Sequence, residues 1–396
     1  MPDARARFDT TARPAVRALA PSLIRDVANE GMGDPDVLAF WFGEPDEVTP
    51  QFIRDAGVAS IARGETFYTQ NFGIPPLRTA IASYVTGLHR PTAEDTIAVT
   101  ASGMSALMLA VEALVAPGDR VVVVTPLWPN LVEIPKILSA NVECVALECR
   151  GGVWQLDLDR LLSALTPGTR LALVNSPNNP TGWTLTRGEQ QAILDHCRRH
   201  GIWLVADDVY ERLYYRDDVP SAPSFLDLAS PDERVVSTNS FSKSWLMTGW
   251  RLGWIVAPAA LMPDLGKLIE YNTSCSPSFV QHAGVAAITH GEPTVAHTRE
   301  RFRRARDYLV GALSRMPGIE VAAPAGAMYA FFRVEGLRDS LAFCKSLVHE
   351  ARLGLAPGRA FGPEGEGFVR WCFASDEARL AEGVSRFANY VGRHAR

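Results

Sequence analysis

The chain has 396 residues, 47% of them hydrophobic and 21% charged, which is enough for a large core spread over two or three domains. Its formal net charge of −5 gives no electrostatic basis for binding nucleic acid. No uninterrupted apolar segment approaches the roughly 18 residues of a membrane span, and residues 1–7 lack the apolar core of a secretory signal.

Short apolar segments alternate with longer amphipathic ones along the chain, which predicts an α/β fold. Several of the short segments are β-branched and apolar on both faces, as the central strands of a covered sheet are. Strands are predicted at residues 96–100, 120–125, 170–175, 202–206, 235–238 and 252–257. Helices are predicted at residues 105–114, 187–200, 293–314, 341–350 and 377–392.

Polar motifs follow three of the predicted strands. They occupy residues 178–182, 207–210 and 240–243. Ligands of open α/β sheets bind at the carboxyl ends of the strands. We therefore expect these three motifs to surround a single ligand.

Lys243 lies in the most informative of these motifs. It is one of only four lysines, it follows Ser240 and Ser242, and Arg251 comes eight residues later. A lysine that forms a Schiff base needs an unprotonated amine near a carbonyl. Hydroxyls and an arginine at these offsets suit a phosphate close by. A carbonyl and a phosphate on one ligand indicate pyridoxal 5′-phosphate (PLP), although a surface lysine in a Ser-rich turn would also fit.

The other two motifs also allow two interpretations each. Asn178 and Asn179 precede Pro180-Thr181-Gly182 and could form only a tight turn, or an amide could donate to a phenolate-like oxygen on a bound ring. Asp207 could cap a helix, or it could form an ion pair with a protonated pyridine nitrogen. Tyr210 could be a core tyrosine or a site residue.

Three further segments are candidates for the same site. Residues 102–104 join a predicted strand to a helix, and Gly103 would let backbone N–H groups approach an anion there. Trp128 follows another strand and could belong to the core or stack on a planar ring. Arg370 lies in an apolar, strand-like run, so it needs either an internal carboxylate or a substrate carboxylate.

The six cysteines indicate a reducing compartment. None forms a CxxC pair, and none has a histidine at metal-ligand spacing. They are typical of reduced, mostly buried thiols. The sequence therefore predicts a cytoplasmic protein without a metal site.

Together the motifs resemble the fold type I PLP enzymes, and within them the class I and II aminotransferases related to aspartate aminotransferase. The resemblance extends from about Leu38 to Ala374, with Asn-Asn-Pro-Thr-Gly, Asp-x-x-Tyr, Ser-Phe-Ser-Lys and a late arginine in family order. It implies a large domain with a mostly parallel seven-stranded sheet between helices and a smaller α+β domain built from both termini. The implied divisions are residues 1–48 (N-terminal arm and part of the small domain), 49–290 (large PLP-binding domain) and 291–396 (small C-terminal domain).

The resemblance also implies roles for the residues around the cofactor ring. Lys243 matches the lysine that forms the Schiff base with PLP and then moves the proton. Asp207 matches the partner of the pyridine nitrogen, and Trp128 the aromatic ring stacked on the cofactor. Tyr210 and Asn179 match the groups at the 3-oxygen, where Asn179 also adjoins the substrate.

Further matches concern the phosphate, the substrate and the quaternary structure. Ser240, Arg251 and residues 102–104 (Ser102, Gly103 and Met104) match the phosphate cup. Tyr68 resembles the tyrosine that reaches the phosphate of the neighbouring subunit, which implies a homodimer with sites at the interface. Arg370 matches the arginine that binds the substrate α-carboxylate, and Gly43 the glycine that lines the substrate pocket.

The substrate is expected to differ from that of the aspartate-specific relatives. Some of those carry a lysine where this chain has Met104, and others use an arginine of the partner subunit, but residues 272–278 contain none. Met104, Phe42 and Trp41 predict a pocket for an apolar or aromatic side chain. The expected reaction moves an amino group from such an L-α-amino acid to a 2-oxo acid such as 2-oxoglutarate, with ping-pong kinetics.

Two other functions are alternatives. A C–S β-lyase or a cyclopropane-forming synthase would use the same residues, because the cofactor supplies the difficult chemistry. A ligand-sensing regulator would need a DNA-binding domain, and the resemblance already begins near residue 38.

Overall fold

The computed structural model describes residues 11–394, and its framework is one seven-stranded sheet and one four-stranded sheet. The predictions made for residues 1–7, and part of the predicted N-terminal arm, lie outside the described residues. The strands are β1 (Leu38–Ala39), β2 (Ile97–Thr100), β3 (Arg120–Thr125), β4 (Asn141–Ala146), β5 (Glu148–Arg150), β6 (Val153–Gln155), β7 (Thr169–Asn175), β8 (Trp203–Asp207), β9 (Val235–Ser240), β10 (Gly253–Val256), β11 (Ile319–Glu320), β12 (Tyr329–Val334), β13 (Leu353–Gly354), β14 (Ala356–Pro357) and β15 (Phe368–Cys372).

Helices cover both faces of the large sheet and flank the small one. The α-helices are α1 (Pro14–Arg17), α2 (Leu23–Asn29), α3 (Gln51–Ala62), α4 (Pro75–Leu88), α5 (Gly103–Leu114), α6 (Pro129–Ile137), α7 (Leu158–Ala164), α8 (Arg187–His200), α9 (Met262–Asn272), α10 (Ser278–His290), α11 (Glu292–Leu313), α12 (Ser340–Ala351) and α13 (Glu377–His394).

The seven-stranded sheet has the order β2-β10-β9-β8-β7-β3-β4. Only β10 runs antiparallel to its neighbours, and the other pairings are parallel. The central strands β3, β7, β8 and β9 are almost entirely buried, which explains their apolar character on both faces. The prediction of a mostly parallel seven-stranded sheet is confirmed.

The strand ends differ from the predicted ones in a way that matters for the site. Asp207 is the last residue of β8 and Ser240 the last residue of β9, so both belong to the sheet rather than to the following loops. The edge strand β4 was not predicted. Its sequence, Asn141–Ala146, includes exposed polar residues, because one side of an edge strand faces solvent.

The smaller sheet is antiparallel, with the order β11-β12-β15-β14. N-terminal residues join this part of the molecule, since β1 pairs in parallel with β13 and Arg386 of α13 donates a hydrogen bond to the carbonyl of Asp36 at 2.8 Å. Both termini therefore contribute to the small α+β unit, as expected. The boundaries after residues 48 and 290 stay a prediction.

All five predicted helices are present. Residues 187–200 match α8 in full, because the Thr186–Glu189 capping box begins the helix and Gly201, with a φ of 66°, ends it. The helix predicted from residue 105 begins at Gly103, since the hydroxyl of Ser102 accepts a hydrogen bond from the backbone N–H of Ser105.

Within residues 11–394, no helix combines the length and the apolarity that a membrane span requires. The expectation of mostly buried cysteines is only half right. Cys197, Cys344 and Cys372 are buried, whereas Cys144 is exposed and Cys149 and Cys275 are half-buried.

Candidate active site

A cavity of about 480 Å³ opens at the carboxyl edge of the large sheet, beside the small sheet. The ends of β7, β8 and β9 form its floor, the start of α5 forms one wall, and β12 and β15 supply another. All but two of the predicted site residues line this cavity: Gly43, Gly103, Met104, Trp128, Asn179, Asp207, Tyr210, Ser240, Lys243, Arg251 and Arg370.

Asp207 is a buried carboxylate that lines the cavity and forms no ion pair with another residue of the range 11–394. It accepts hydrogen bonds from the Asn175 amide at 3.2 Å and from the Val209 backbone N–H at 3.4 Å. Burial, with the nearby Asp208 carboxylate, raises the pKa of Asp207 to about 7. No helix follows it, so the capping alternative is wrong. A ligand that brings a positive charge, such as a protonated pyridine nitrogen, fits this position.

Lys243 is half-buried in the cavity wall, so it is not a lysine of a surface turn. Its Nζ donates a hydrogen bond to the carbonyl of Gly43 at 2.5 Å. Burial lowers the pKa of Lys243 to about 8, and the positive charges of Arg370 and Arg251 act in the same direction. A substantial fraction of this amine is therefore neutral near pH 8, as a nucleophile must be.

One end of the cavity has the chemistry of an anion site. The hydroxyls of Ser240 and Ser242 lie 2.9 Å apart. Arg251 donates to the Thr248 carbonyl at 2.7 Å and has no carboxylate partner among residues 11–394. The N-terminus of α5 closes this end at Gly103, where an added Cβ would lie 2.9 Å from the Cβ of Ser240. Free backbone N–H groups, hydroxyls and a guanidinium suit a phosphate.

Two predicted site residues do not line the cavity. The Ser102 hydroxyl caps α5, since it accepts a hydrogen bond from the Ser105 N–H at 3.0 Å, and its place in the phosphate cup stays a prediction. The Tyr68 side chain is 90% exposed. That exposure suits a side chain that reaches a second subunit, and this role stays a prediction.

Asn178 and Asn179 have different functions in the local structure. The Asn178 side chain forms the turn, since its oxygen accepts from the backbone N–H of Thr181 at 3.1 Å and from the Thr181 hydroxyl at 2.8 Å. Asn179 faces the cavity, and its oxygen accepts from Arg370 at 2.9 Å. The turn interpretation therefore describes Asn178, and Asn179 is placed to contact a ligand.

Tyr210 lies within hydrogen-bond distance of a second tyrosine. Its hydroxyl is 2.7 Å from that of Tyr329, and burial raises the pKa of Tyr210. Trp128, which immediately precedes α6, also lines the cavity, and its backbone N–H lies 2.9 Å from the Asn179 carbonyl. Two phenols, an amide and an indole therefore surround the space in front of Asp207.

Arg370 is buried in β15 and has no carboxylate partner among the described residues. Its guanidinium donates to Asn179 and to the carbonyl of Trp41, and its Nε has no partner. The guanidinium carbon lies 4.4 Å from the centre of the Tyr329 ring. The alternative of an internal carboxylate is therefore wrong, and the free donor leaves room for a carboxylate supplied by a ligand.

Gly43 is required by the packing of Tyr329. An added Cβ at residue 43 would lie 2.0 Å from the Tyr329 hydroxyl. Phe42 lines the cavity as expected, but Trp41 is buried against Gly354 instead. Trp41 contributes its carbonyl to Arg370 rather than its ring to the pocket.

Several lining residues were missed from the sequence. Tyr329 lies in the apolar run 327–332, which is indistinguishable from core. Asn175 ends a predicted strand, and a buried amide at that position was a usable signal. The residues of the N-terminal segment carried no signal, because only the tertiary structure brings Ser22, Ile24 and Arg25 to the cavity.

Comparison with known proteins identifies the class. Residues 33–387 match the model of the family described as aminotransferase class I and II. An aspartate aminotransferase of Pyrococcus horikoshii is 34% identical over 369 residues, which cover 92% of this chain and 93% of that protein. A probable N-acetyl-LL-diaminopimelate aminotransferase of Bacillus subtilis is 31% identical over 381 residues, covering 96% and 95%.

Solved structures give the same result. An alanine aminotransferase from Pyrococcus furiosus superposes with a TM-score of 0.90 at 26% identity, covering 97% of this chain and 100% of that one. An aspartate aminotransferase from Thermotoga maritima superposes with a TM-score of 0.89 at 30% identity, covering 96% and 100%. Fold and site thus define a fold type I aminotransferase. The chain belongs to the aminotransferase class I and II family, whose members depend on PLP, and it is a transaminase.

Proposed function

We propose that this enzyme transfers the amino group of an L-α-amino acid with an apolar or aromatic side chain to a 2-oxo acid such as 2-oxoglutarate. The observation that supports this preference is the wall of the cavity beside the start of α5. Ile24, Phe42, Met104 and Leu107 line it, and the position where some aspartate-specific relatives carry a lysine is Met104.

The space beyond this wall supports a large side chain. A second cavity of about 680 Å³ adjoins the first and shares Ser22, Met104, Pro129 and Asn130 with it. Its further lining includes Leu19, Leu23, Met108 and Leu127. Burial of apolar surface would stabilise a bulky apolar substrate there by roughly 25 cal/mol for each Å² removed from water.

The residues around the cavity fit PLP. When bound, PLP supplies a conjugated ring that accepts the negative charge developing at the substrate Cα. Lys243 would hold it covalently, Asp207 would pair with the ring nitrogen, and Asn179 with Tyr210 would contact the 3-oxygen. At the anion end of the cavity, Ser240, Arg251 and the backbone of Gly103 and Met104 would bind the phosphate.

Lys243 is the proposed proton carrier. Its pKa of about 8 is close to neutral pH, and a general base works best when its pKa is near the working pH. Once a substrate amine replaces it, the freed Nζ would take the proton from the substrate Cα and deliver it to the cofactor carbon that is bonded to the amino nitrogen. The amino group then stays on the enzyme until a second 2-oxo acid accepts it, which requires ping-pong kinetics.

Arg370 and the two tyrosines position the substrate. The unpartnered Nε of Arg370, with a neighbouring N–H, can donate two parallel hydrogen bonds to an α-carboxylate. Tyr329 supports Arg370 through its ring face and supports Tyr210 through the 2.7 Å contact between the hydroxyls. Trp128 would cover one face of the ring and exclude water from it.

The proposed working form is a cytoplasmic homodimer. Tyr68 is almost fully exposed in the single chain. This exposure supports a dimer, because the tyrosine that it resembles in related enzymes contacts the phosphate of the neighbouring subunit. Phe67 and Tyr271 are also highly exposed, which suits a surface that another subunit covers.

A single half-reaction tests the substrate class. The PLP-loaded enzyme is mixed with phenylalanine, leucine or aspartate, and the conversion of the cofactor to its amine form is followed by absorbance. We expect kcat/KM to be higher for phenylalanine and leucine than for aspartate. Faster conversion with aspartate would overturn the substrate assignment. In a parallel reaction with an S-alkylcysteine, whose thiolate can leave from Cβ, release of the thiol, pyruvate and ammonia without formation of the amine form would instead indicate a lyase.

A further inference from the structure

Arg25, in α2, is an arginine of the active-site cavity whose side chain has no polar partner among residues 11–394. Its guanidinium carbon lies 4.6 Å from the centre of the Phe42 ring. Within the described part of the chain, its side chain makes no hydrogen bond and no ion pair, and only its backbone N–H is bonded, to the Ser22 hydroxyl. The contact with Phe42 uses the ring face and leaves the N–H donors of Arg25 available.

The other cationic side chains that line the cavity already have a role in the proposed function. Arg370 donates to Asn179, Arg251 lies at the anion end, and Lys243 lies between them. Arg25 is the remaining cation of this lining, and Ile24 and Phe42 place it on the side where the substrate side chain lies.

We propose that Arg25 binds the distal carboxylate of a dicarboxylic substrate, 2-oxoglutarate or its amine glutamate, in the half-reaction that completes the cycle. This inference rests on the proposed function, because Arg370 must hold the α-carboxylate. A five-carbon diacid then brings a second carboxylate into the side-chain region, where Arg25 can donate charge-assisted hydrogen bonds.

The position of Arg25 allows one cavity to accept both substrate classes. Arg25 is exposed at the cavity mouth, so an apolar side chain can bind without burying an unpaired charge. A buried cation there would penalise phenylalanine or leucine. The methylene groups of glutamate can contact the same apolar wall, formed by Ile24, Met104 and Leu107, while its distal carboxylate reaches Arg25.

Arg25→Gln tests the proposal, since it removes the charge and keeps an amide of moderate length. The matched control is Arg17→Gln, because Arg17 is an exposed arginine of the same segment that does not line the cavity. Half-reactions of the PLP-loaded enzymes are measured by absorbance with glutamate and with phenylalanine. We expect Arg25→Gln to lower kcat/KM for glutamate about 10- to 100-fold, the usual effect of one charge-assisted contact. The kcat/KM of Arg25→Gln for phenylalanine should change less than about twofold. Arg17→Gln should leave kcat/KM unchanged for both amino acids.

Ionic strength provides a second measurement. The glutamate rate of the wild type should fall as salt is added, and that of Arg25→Gln should depend less on salt. An equal loss with both amino acids, or an unchanged glutamate rate, would overturn the role of Arg25. If the wild type converts glutamate through Arg25 but does not convert phenylalanine or leucine, the proposed apolar preference fails and the assignment of Arg25 stands.

Discussion

At the scale of single residues, the site consists of groups that the fold alone leaves incomplete. Within the described part of the chain, Asp207 is a buried carboxylate with no ion-pair partner and Arg370 is a buried cation with no carboxylate partner. Lys243 is an amine with a lowered pKa. Such groups destabilise a protein unless a ligand completes them. Their convergence on one cavity is therefore stronger support for function than any of the motifs taken alone.

Lys243→Ala should abolish turnover, because the cofactor would lose its covalent attachment and the reaction its proton carrier. Borohydride reduction of the wild-type holoenzyme should attach the cofactor permanently to Lys243, as measured by peptide mass spectrometry. Lys267→Ala is the matched control, since Lys267 is exposed and paired with Asp264. Recovery of the label on Lys136, Lys267 or Lys345 would contradict the assignment.

Asp207→Asn should slow removal of the Cα proton, because a neutral amide cannot keep the ring nitrogen protonated. Breaking a buried ion pair costs about 3–5 kcal/mol, so we expect a slowing of at least a hundredfold in single-turnover absorbance measurements. A variant that reacts as fast as the wild type would exclude this role.

Asp207→Asn should slow the reaction but increase the stability of the cofactor-free protein. The pKa of Asp207 is raised from its usual value near 4 to about 7, so the folded protein binds this proton more tightly than the unfolded chain. The contribution of Asp207 to stability is therefore lost as pH rises from about 4 to 7. Asp207→Asn should stabilise the cofactor-free protein at pH 8 by about 1–3 kcal/mol and have little effect at pH 4. Urea unfolding at both pH values measures the free energy of unfolding of wild type and variant. If the two proteins differ by the same amount at both pH values, the pKa of Asp207 is not raised.

At the scale of elements, the site depends on the close approach of α5 to β9 and β10. Gly103 opens α5 against Ser240, and an added Cβ at Gly253 of β10 would lie 2.5 Å from the backbone nitrogen of Gly103. Glycine at both positions brings the free N–H groups of α5 to the anion end of the cavity. The sequence indicated a helix near this point but could not indicate the contact distance.

Gly103→Ala should weaken PLP binding, because the methyl group would push the start of α5 away from Ser240. We expect the Kd for PLP to rise at least about tenfold, which corresponds to roughly 1.4 kcal/mol. Gly188→Ala is the control, since Gly188 also lies in the first turn of a helix but has no atom within 4 Å of an added Cβ. Titration of the cofactor-free proteins with PLP gives the Kd of the wild type and of both variants. If Gly103→Ala binds PLP as tightly as the wild type, the close approach of α5 to Ser240 is unimportant for binding.

At the scale of the whole molecule, the active site joins the large sheet, the small sheet and the N-terminal segment. Arg370 comes from β15, Asp207 from β8, and Arg25 from α2. The exposed aromatic side chains of Phe67, Tyr68 and Tyr271 indicate a further surface that the single chain leaves uncovered.

We expect the active enzyme to be a dimer, and sedimentation velocity at assay concentration measures this. Tyr68→Phe should weaken PLP binding by a few fold while the dimer persists, because it removes one hydroxyl that would reach the partner's phosphate site. Tyr308→Phe is the control for loss of a tyrosine hydroxyl, since Tyr308 lies in α11 and neither lines the cavity nor belongs to this surface. An active monomer would exclude an interface site.

The residues proposed to contact the cofactor meet because β7, β8 and β9 pair in parallel and end at the same edge of the sheet. Lys243, Asp207 and Asn179 each follow or end a predicted strand, so the amino-acid sequence already predicts that they share one site. The five predicted helices are also present, since their caps and periodicity are local signals.

The environment of the substrate side chain, in contrast, depends on tertiary packing. Trp41 and Phe42 are adjacent in sequence, yet packing against Gly354 buries Trp41 and leaves Phe42 at the cavity. Ser102 caps α5 and does not line the cavity, although its neighbours Gly103 and Met104 do. Tyr329 and Arg25 reach the site from segments more than 100 residues away from Asp207, and no local pattern marks them. Contacts between distant segments depend on how helices and sheets pack, so only the tertiary structure shows which of these residues share a site.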